Sequence, residues 1–277
     1  QKYNLKLGDV CDALSRSKSP LLYFGNGLKT SNGSLGLKEF INKTKIPYMK
    51  TWMSFDLVLD TDKTNYFGMP GTIATRYSNM IVQNSDLIII IGTSLDLIQV
   101  AFNYDNFAPN AIKILINIDK FELTKFKFNK SILIHAEGNY FLKELTKILD
   151  RINLPSNTKW LKWCKEKKRK FSIDKEKIEK FPNKVNSLIF LKILSQKSKS
   201  DDVFVPGSSG GCAEHFFLRF NLKKGQRVIN SAGLGAMGTG LPSSIGVAIA
   251  SGARVISIIG DGGLQHNIQE LELLNRY

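Results

Sequence analysis

The feature that most constrains this sequence is a strand that runs directly into a glycine turn carrying one carboxylate. Residues 255–259 are mostly apolar and β-branched, which predicts a buried strand. Gly260, Asp261, Gly262 and Gly263 follow it directly. Because glycine has no Cβ, this turn can bend sharply and let a ligand approach the backbone. Such a turn suits a phosphate held through a divalent ion, which the Asp261 carboxylate would bind.

A helix is predicted to follow the turn. Asn267 precedes Glu270 by three residues, which is the spacing of an N-cap with a capping box. The sequence reaches Tyr277 within this predicted helix, and residues 1–5 contain neither an initiator Met nor a signal-peptide apolar stretch. We therefore expect a piece of a longer polypeptide.

Composition narrows the class of protein. The chain has 277 residues, of which 43% are hydrophobic, and this is enough for two moderate cores. No run of about 18 apolar residues is present, so we expect no membrane span. Three widely spaced cysteines, Cys11, Cys164 and Cys212, favour neither zinc nor disulfides, and we expect a cytoplasmic protein.

The net charge of +15 is compatible with an anionic partner or with a surface that is simply rich in lysine. Basic and aromatic residues do not interleave as they do in a nucleic-acid platform. We therefore expect no nucleic-acid partner.

Residues 1–154 alternate short apolar segments with glycine turns and helical stretches, which predicts a doubly wound parallel sheet. Two features here leave alternatives open. Gly25 and Gly27 form either a cofactor contact or a plain tight turn, because the full G-x-G-x-x-G spacing fails at Thr30. Asp119 either grips a ribose or caps a helix. The predicted strands of this domain are residues 21–24, 46–49, 86–91, 112–119 and 131–135.

The character of the sequence changes after residue 154. Residues 155–184 mix lysines with Trp160, Trp163 and Phe171. They predict a solvated, basic helical linker with an apolar seam, which could also dock on nucleic acid or a membrane surface. Residues 185–277 then predict a second doubly wound domain.

Three glycine-rich loops follow the three predicted strands of the second domain. In an open parallel sheet, such loops meet at the carboxyl edge. Ser208, Ser209 and Gly210 offer hydroxyls and amides, and the other two loops add Met237 and Asp261. This set suits a diphosphate bound through Mg²⁺, whose octahedron would be completed by water, by the phosphate and by one or two further protein oxygens that we expect beyond Tyr277. The loops span residues 206–211, 231–242 and 260–263.

These segments resemble the thiamine-diphosphate site of the acetolactate synthase large subunit family. The resemblance rests on residues 233–242, 260–262 and 267–271 in the second half. In the first half it rests on residues 68–69, 77–79, 86–88, 107–111 and 116–119. It covers nearly the whole chain and implies two α/β, Rossmann-like domains: the central domain and the first part of the diphosphate-binding domain.

The resemblance also implies roles for individual residues. Asp261 matches the Mg²⁺ ligand, Met237 the apolar residue that props the cofactor in its bent form, and Gly235 the residue whose carbonyl accepts a hydrogen bond from the aminopyrimidine. Ser209 and Gly210 stand where the family has a Gln-His pair, so Ser hydroxyls, including that of Ser208, or amides would contact the diphosphate. The diphosphate-contacting turn comprises Gly260, Gly262 and Gly263.

The implied activity is decarboxylation of a 2-keto acid such as pyruvate and transfer of its acyl unit to a second carbonyl, by a homodimer or homotetramer in branched-chain amino acid biosynthesis. Two alternatives remain: a 2-keto-acid decarboxylase or specialised synthase on the same scaffold, and a non-catalytic binding relative. Ser94 and Ile98 stand where FAD-binding members carry Arg, so we do not expect FAD. The activating Glu and the second metal ligand would lie outside this chain, so we expect it to be inactive alone.

Overall fold

The computed structural model describes residues 3–57, 62–175, 182–207, 210–231 and 233–277. The chain divides into two compact units, Gln1–Glu176 and Lys177–Tyr277. The boundary between them falls inside residues 155–184, the segment for which the sequence predicts a linker. No helix within the described ranges is long and apolar enough to cross a membrane.

The first unit alternates strands and helices. Its strands are β1 (Pro20–Phe24), β2 (Tyr48–Lys50), β3 (Leu87–Ile91), β4 (Ile112–Asn117) and β5 (Ser131–His135). Its helices are α1 (Leu7–Arg16), α2 (Asn26–Thr30), α3 (Ser34–Thr44), α4 (Asp62–Asn65), α5 (Arg76–Gln83), α6 (Lys120–Thr124), α7 (Gly138–Ile148) and α8 (Thr158–Lys170).

The strands of the first unit pair in parallel in the order β2-β1-β3-β4-β5. Side chains alternate between two buried faces: Leu22 and Phe24 enter one core with α1, α3 and α7, whereas Leu21 and Tyr23 enter the other with α5 and α8. Helices on both faces of a parallel sheet confirm the predicted doubly wound α/β class.

The sequence predicts α8 as a solvated helix, and the structure differs. Trp160 and Cys164 are buried in a core of the first unit, and the Trp160 Nε1–H donates to the Pro20 carbonyl at 2.9 Å. The apolar seam is therefore a packing face on β1, while the lysines cover the outer side. The many lysines of this segment suggest a solvated helix, and the packing face could not be predicted because Pro20, which Trp160 contacts, lies 140 residues away in sequence.

The second unit is a smaller version of the same architecture. Its strands are β6 (Val203–Pro206), β7 (Arg227–Val228) and β8 (Val255–Ile258), parallel in the order β7-β6-β8. Its helices are α9 (Ser187–Lys197), α10 (Gly210–Arg219), α11 (Gly240–Ser251), α12 (Asp261–Gln265) and α13 (Leu271–Arg276).

The predicted capping box at Asn267 and Glu270 is wrong. A helix starts earlier, at Asp261, because Gly260 is extended (φ −71°, ψ 155°) and ends the strand. The Asn267 side chain caps no backbone amide; its Nδ2 donates to the Gly238 carbonyl at 2.7 Å. Asn267 does precede a short 3-10 helix, Ile268–Glu270, but its side chain holds the Gly238 loop instead of capping that helix.

Candidate functional site

The carboxyl edge of the first sheet is closed by its own backbone. The Gly25 amide donates to the Ile91 carbonyl and the Gly27 amide to the Gly92 carbonyl, both at 2.9 Å. A Cβ added at Gly25 would lie 2.5 Å from the Gly92 oxygen. These glycines thus allow two backbone segments to touch, which favours the tight turn over a phosphate contact.

Asp119 follows β4 and acts as a helix cap. Its Oδ1 accepts a hydrogen bond from the Phe121 amide at 2.8 Å, so it caps the N-terminus of α6. Of the two alternatives that the sequence leaves open, the structure favours the cap.

In the second sheet the strand order reverses between β6 and β8. The chain passes from β6 to β7 on one side and later returns to β8 on the other, and in such sheets ligands bind outside the carboxyl ends of the strands at this point. Gly207 follows β6, and its amide donates to the Ile258 carbonyl at 2.8 Å. A Cβ at Gly240 would lie 2.9 Å from Ile259 Cγ1 and 3.3 Å from Gly207 Cα, so the start of α11 packs closely against the residues that follow β6 and β8.

Asp261 opens α12 directly after β8. Its side chain is exposed, and its Oδ1 accepts a hydrogen bond from the Gly262 amide at 2.8 Å. Gly263 is buried beside Ile259, where a Cβ would lie 3.4 Å from Ile259 Cγ2. The carboxylate therefore stands on a turn whose backbone is anchored beneath it while its oxygens face solvent.

Met237 lies against this turn. A Cβ added at Gly262 would be 3.0 Å from Met237 Cε, although the Met237 side chain is 49% exposed. Gly235 adopts a left-handed conformation (φ 62°), and its amide donates to the Ser231 carbonyl at 2.9 Å. No residue in the described ranges donates a hydrogen bond to the Gly235 carbonyl. The structure thus brings the Met237 loop and the Asp261 turn together.

Three polar residues that hold the Met237 loop were not recognised as site residues from the sequence. The Ser231 and Thr239 hydroxyls meet at 3.0 Å, and Thr239 Oγ1 also donates to the Ala236 carbonyl at 3.0 Å. Asn267 holds Gly238 from the other side, as described above. Hydroxyl residues at both ends of a glycine loop are a usable signal, whereas the Asn267 contact spans 29 residues and has no local signature.

The first loop is only partly described. Gly210 is the first residue of α10, whereas Ser208 and Ser209 lie outside the described residues. The predicted contribution of their hydroxyls therefore stays a prediction.

These residues fit a diphosphate cofactor bound through a divalent cation. The donor set is one solvent-facing carboxylate, an open carbonyl at Gly235, and glycines whose missing Cβ leaves room beside Met237. No group of three or more His, Cys, Asp or Glu side chains able to hold a metal ion occurs in the described part of the chain. Mg²⁺ commonly uses one or two carboxylates and takes its other ligands from phosphate and water.

The fold defines an α/β protein with two Rossmann-like units, and the loops at the carboxyl edge of the second sheet suit a diphosphate ligand. Comparison with known families makes this specific. The thiamine pyrophosphate enzyme central domain matches residues 7–145, and the C-terminal TPP binding domain of thiamine pyrophosphate enzymes matches residues 209–277. The chain belongs to the thiamine pyrophosphate enzyme family.

Curated relatives agree with this assignment. The acetolactate synthase large subunit of Buchnera aphidicola subsp. Schizaphis graminum is 30% identical over 95% of this chain and 45% of its own length. The isozyme 2 large subunit of Escherichia coli K12 is 28% identical over 95% of this chain and 46% of its own. The chloroplastic acetolactate synthase of Arabidopsis thaliana is 30% identical over 96% of this chain and 39% of its own length. The chain thus spans less than half the length of these relatives.

Proposed function

We propose that this chain supplies the central domain and the diphosphate-binding part of a thiamine-diphosphate- and Mg²⁺-dependent carboligase of acetolactate synthase type. The observation that carries the proposal is the approach of Met237 to the turn that Asp261 opens, where a Cβ added at Gly262 would lie 3.0 Å from Met237 Cε. The names of the relatives, all acetolactate synthases, support the same reaction class.

In this proposal Asp261 binds the cation and the glycine turn leaves the backbone open to the diphosphate. The Asp261 carboxylate suits the role because it is exposed and bonded only to the adjacent Gly262 amide among the described residues. Gly260 and Gly263 shape the turn, and the first loop adds contacts. The proposed first-loop contacts are Ser208, Ser209 and Gly210.

Met237 and Gly235 are the residues that orient the reacting ring. Met237 presents a half-exposed apolar surface beside the turn, and Gly235 offers a carbonyl that can accept a hydrogen bond. When bound, thiamine diphosphate supplies the electron sink for decarboxylation of a 2-keto acid. The protein's own contribution is to hold the ring in one orientation and to exclude water around it.

The proposed substrates are pyruvate and a second carbonyl compound, and the proposed assembly is a homodimer or homotetramer in the cytoplasm. Nothing in the described geometry calls for FAD, because the glycine amides that could meet its diphosphate are bonded to Ile91 and Gly92. We expect no turnover by the 277-residue chain alone. Pyruvate consumption by it would contradict the domain assignment.

Replacing Asp261 tests the metal site. In the full-length gene product, Asp261→Ala should weaken Mg²⁺-dependent binding of thiamine diphosphate by at least tenfold, because the cation would lose its carboxylate. Isothermal titration calorimetry measures this directly. Asp201→Ala, an exposed carboxylate that precedes β6, is the matched control and should bind like the wild type. Unchanged affinity in Asp261→Ala would reject Asp261 as the ligand.

Product analysis tests the reaction. The full-length protein is incubated with thiamine diphosphate, Mg²⁺ and pyruvate, and then with 2-ketobutyrate as a competing acceptor. Formation of 2-acetolactate supports the proposal. Acetaldehyde as the sole product would assign a decarboxylase instead, and cofactor binding without turnover would assign a non-catalytic relative.

A further inference from the structure

Two clefts lie against α8 in the first unit. The first, of about 580 Å³, is bordered by the end of α3 and the start of α8; the second, of about 410 Å³, is bordered by α4 and the end of α8. Lys165 lines both. Both volumes are in the range of small-molecule sites. We call them together the α8 clefts.

The α8 clefts carry a strong excess of positive charge. Lys45, Lys162 and Lys165 line the first cleft, and in the described part of the chain none of them has a carboxylate within 4 Å. Lys43, which also lines it, is already paired with Asp150 at 2.6 Å. Among the described residues, the second cleft is lined by several further cations and by one carboxylate. These residues are Lys63, Lys165, Lys168, Arg169 and Lys175, with Asp174.

The positive charges that line the clefts from α8 lie on one face of the helix, where their mutual repulsion does not stabilise it. Lys162, Lys165 and Arg169 follow one another at spacings of three and four residues, so they are neighbours on α8 and repel each other. The helix tolerates this because its opposite face is anchored in the core by Trp160 and Cys164. An anion in the clefts would relieve the repulsion.

The aromatic rings along α8 are already covered. The Trp163 ring stacks on Trp160 at 5.0 Å, and Lys167 lies 5.0 Å from its centroid. Arg76 and Lys170 lie 5.2 and 5.5 Å from the Phe171 centroid. Single-stranded nucleic acid needs aromatic faces on which bases stack, so the chemistry of this surface suits phosphate groups instead of bases.

The first cleft is also separate from the edge where sheets of this class bind cofactors. Lys45 and its neighbour Thr44 directly precede the segment that leads into β2, so they lie at the amino end of that strand. The closed turn at Gly25 and Gly92 lies at the carboxyl ends of β1 and β3. The cleft therefore belongs to the opposite edge of the sheet.

We propose that the α8 clefts bind a small molecule that carries a chain of phosphate groups. Lysine ammonium groups are compact charges with three donors, which suits phosphate oxygens presented in several directions. Lys165 is the central contact, since it borders both clefts and can meet successive phosphates along one chain.

Titration with inorganic tripolyphosphate tests the proposal. Calorimetry on the 277-residue chain should show saturable binding, and Lys162→Gln with Lys165→Gln should weaken it at least tenfold. The matched control, Lys159→Gln with Lys170→Gln, removes the same charge from the same helix but from residues outside the α8 clefts, and it should weaken binding less than twofold. Far-ultraviolet circular dichroism confirms that both variants fold.

Further ligands identify the source of the phosphates. Adenosine triphosphate bound with the same lysine dependence would indicate a nucleotide, whereas weaker binding than tripolyphosphate would indicate an inorganic chain; both support the proposal. Equal losses in the two double variants would show only the general charge of the protein and overturn it. Tighter binding of a single-stranded oligonucleotide than of tripolyphosphate, or no saturable binding at all, would also overturn it.

Discussion

The carboxyl edges of the two sheets use the same glycine signature for opposite purposes. In the first unit, Gly25 and Gly27 are pressed against Gly92, and their amides are consumed by backbone carbonyls. In the second unit, Gly233 and Gly235 would meet nothing within 4 Å if they carried a Cβ, and the intervening Leu234 is 95% exposed. A glycine after a strand can therefore serve either close packing or an open binding surface.

The difference lies in what each glycine approaches. Backbone atoms of another strand's loop cannot move aside, so the first edge is rigid and closed. At the second edge, the atom nearest to Gly262 is Met237 Cε, the free end of a flexible side chain. An edge of the second kind can adjust to a ligand, which agrees with the proposed role of this site.

The largest loss of stability should come from adding a methyl group at the closed first edge. In Gly25→Ala the new Cβ would lie 2.5 Å from the Gly92 oxygen and 2.6 Å from Thr93 Cβ, so the unfolding free energy should fall by about 3 kcal/mol. Trp52, Trp160 and Trp163 all lie in the first unit, so urea unfolding followed by tryptophan fluorescence reports on this unit.

Gly233→Ala is the matched control for Gly25→Ala. Gly233 has open space around its Cβ position and no positive φ, so its stability should change by less than about 0.5 kcal/mol, as for most surface substitutions. Equal losses in the two variants would break the distinction between a closed and an open edge.

The amino edges of the two sheets offer a second comparison. Asp86 precedes β3 and accepts hydrogen bonds from the Lys18 and Ser19 amides at 2.7 and 3.1 Å. Asp202 precedes β6, is buried, and accepts two bonds from the Arg254 guanidinium at 2.7 Å. The first carboxylate is held by neutral donors and the second by a charge, so only the second joins its strands through an ion pair.

Asp202→Asn should lower the unfolding free energy of the second unit by about 1–2 kcal/mol, because it removes a charge-assisted pair that is exposed on the Arg254 side. Far-ultraviolet circular dichroism in urea measures the loss. The tryptophan transition of the first unit is the internal control and should not move. A shift of the tryptophan transition instead would contradict the assignment of the Asp202–Arg254 ion pair to the second unit.

The stability difference between wild type and Asp202→Asn should depend on pH. Hydrogen bonds from Arg254 lower the pKa of Asp202, against the opposing effect of burial. A carboxyl with a lowered folded-state pKa stabilises the fold above its unfolded value of about 4, and this stabilisation is lost as the pH falls through the lowered pKa. The difference between wild type and Asp202→Asn should thus be largest near neutral pH and shrink below about pH 4. A difference that grows on acidification would contradict this sign.

Strands and fold class could be predicted because their signal is local. The run from Leu87 to Ile91 is apolar in every position, and β5 has the bounds that its sequence pattern predicts. The same holds for Asp119, whose capping contact lies two residues away.

Tertiary contacts explain what could not be predicted. The packing face of α8 depends on the Pro20 carbonyl, and the role of Asn267 depends on Gly238, each distant in sequence. Whether Gly25 is closed or Gly235 open depends on which loop approaches it, and a sequence pattern does not contain this information. The meeting of the Met237 loop and the Asp261 turn was expected from the rule that such loops converge at the carboxyl edge of a parallel sheet, whereas the approach of Met237 to Gly262 in particular was not predicted.

The smallest effect is expected at the contact that carries the proposed function. In Gly262→Ala the new Cβ would lie 3.0 Å from Met237 Cε, but the thioether can rotate away and alanine favours helix α12. Stability should therefore stay within about 0.5 kcal/mol of wild type in urea unfolding followed by circular dichroism.

Combining Gly262→Ala with Met237→Ala identifies which atoms resist the new methyl group. If Gly262→Ala is mildly destabilising, removal of the Met237 side chain should restore the loss, since Met237 Cε is the atom that the Cβ would meet. A loss above about 1.5 kcal/mol, of the size that overpacking of a core produces, that Met237→Ala does not restore would mean that backbone closes this turn as well. The second edge would then resemble the first, and the cofactor site proposed there could not adjust to its ligand through movement of the Met237 side chain.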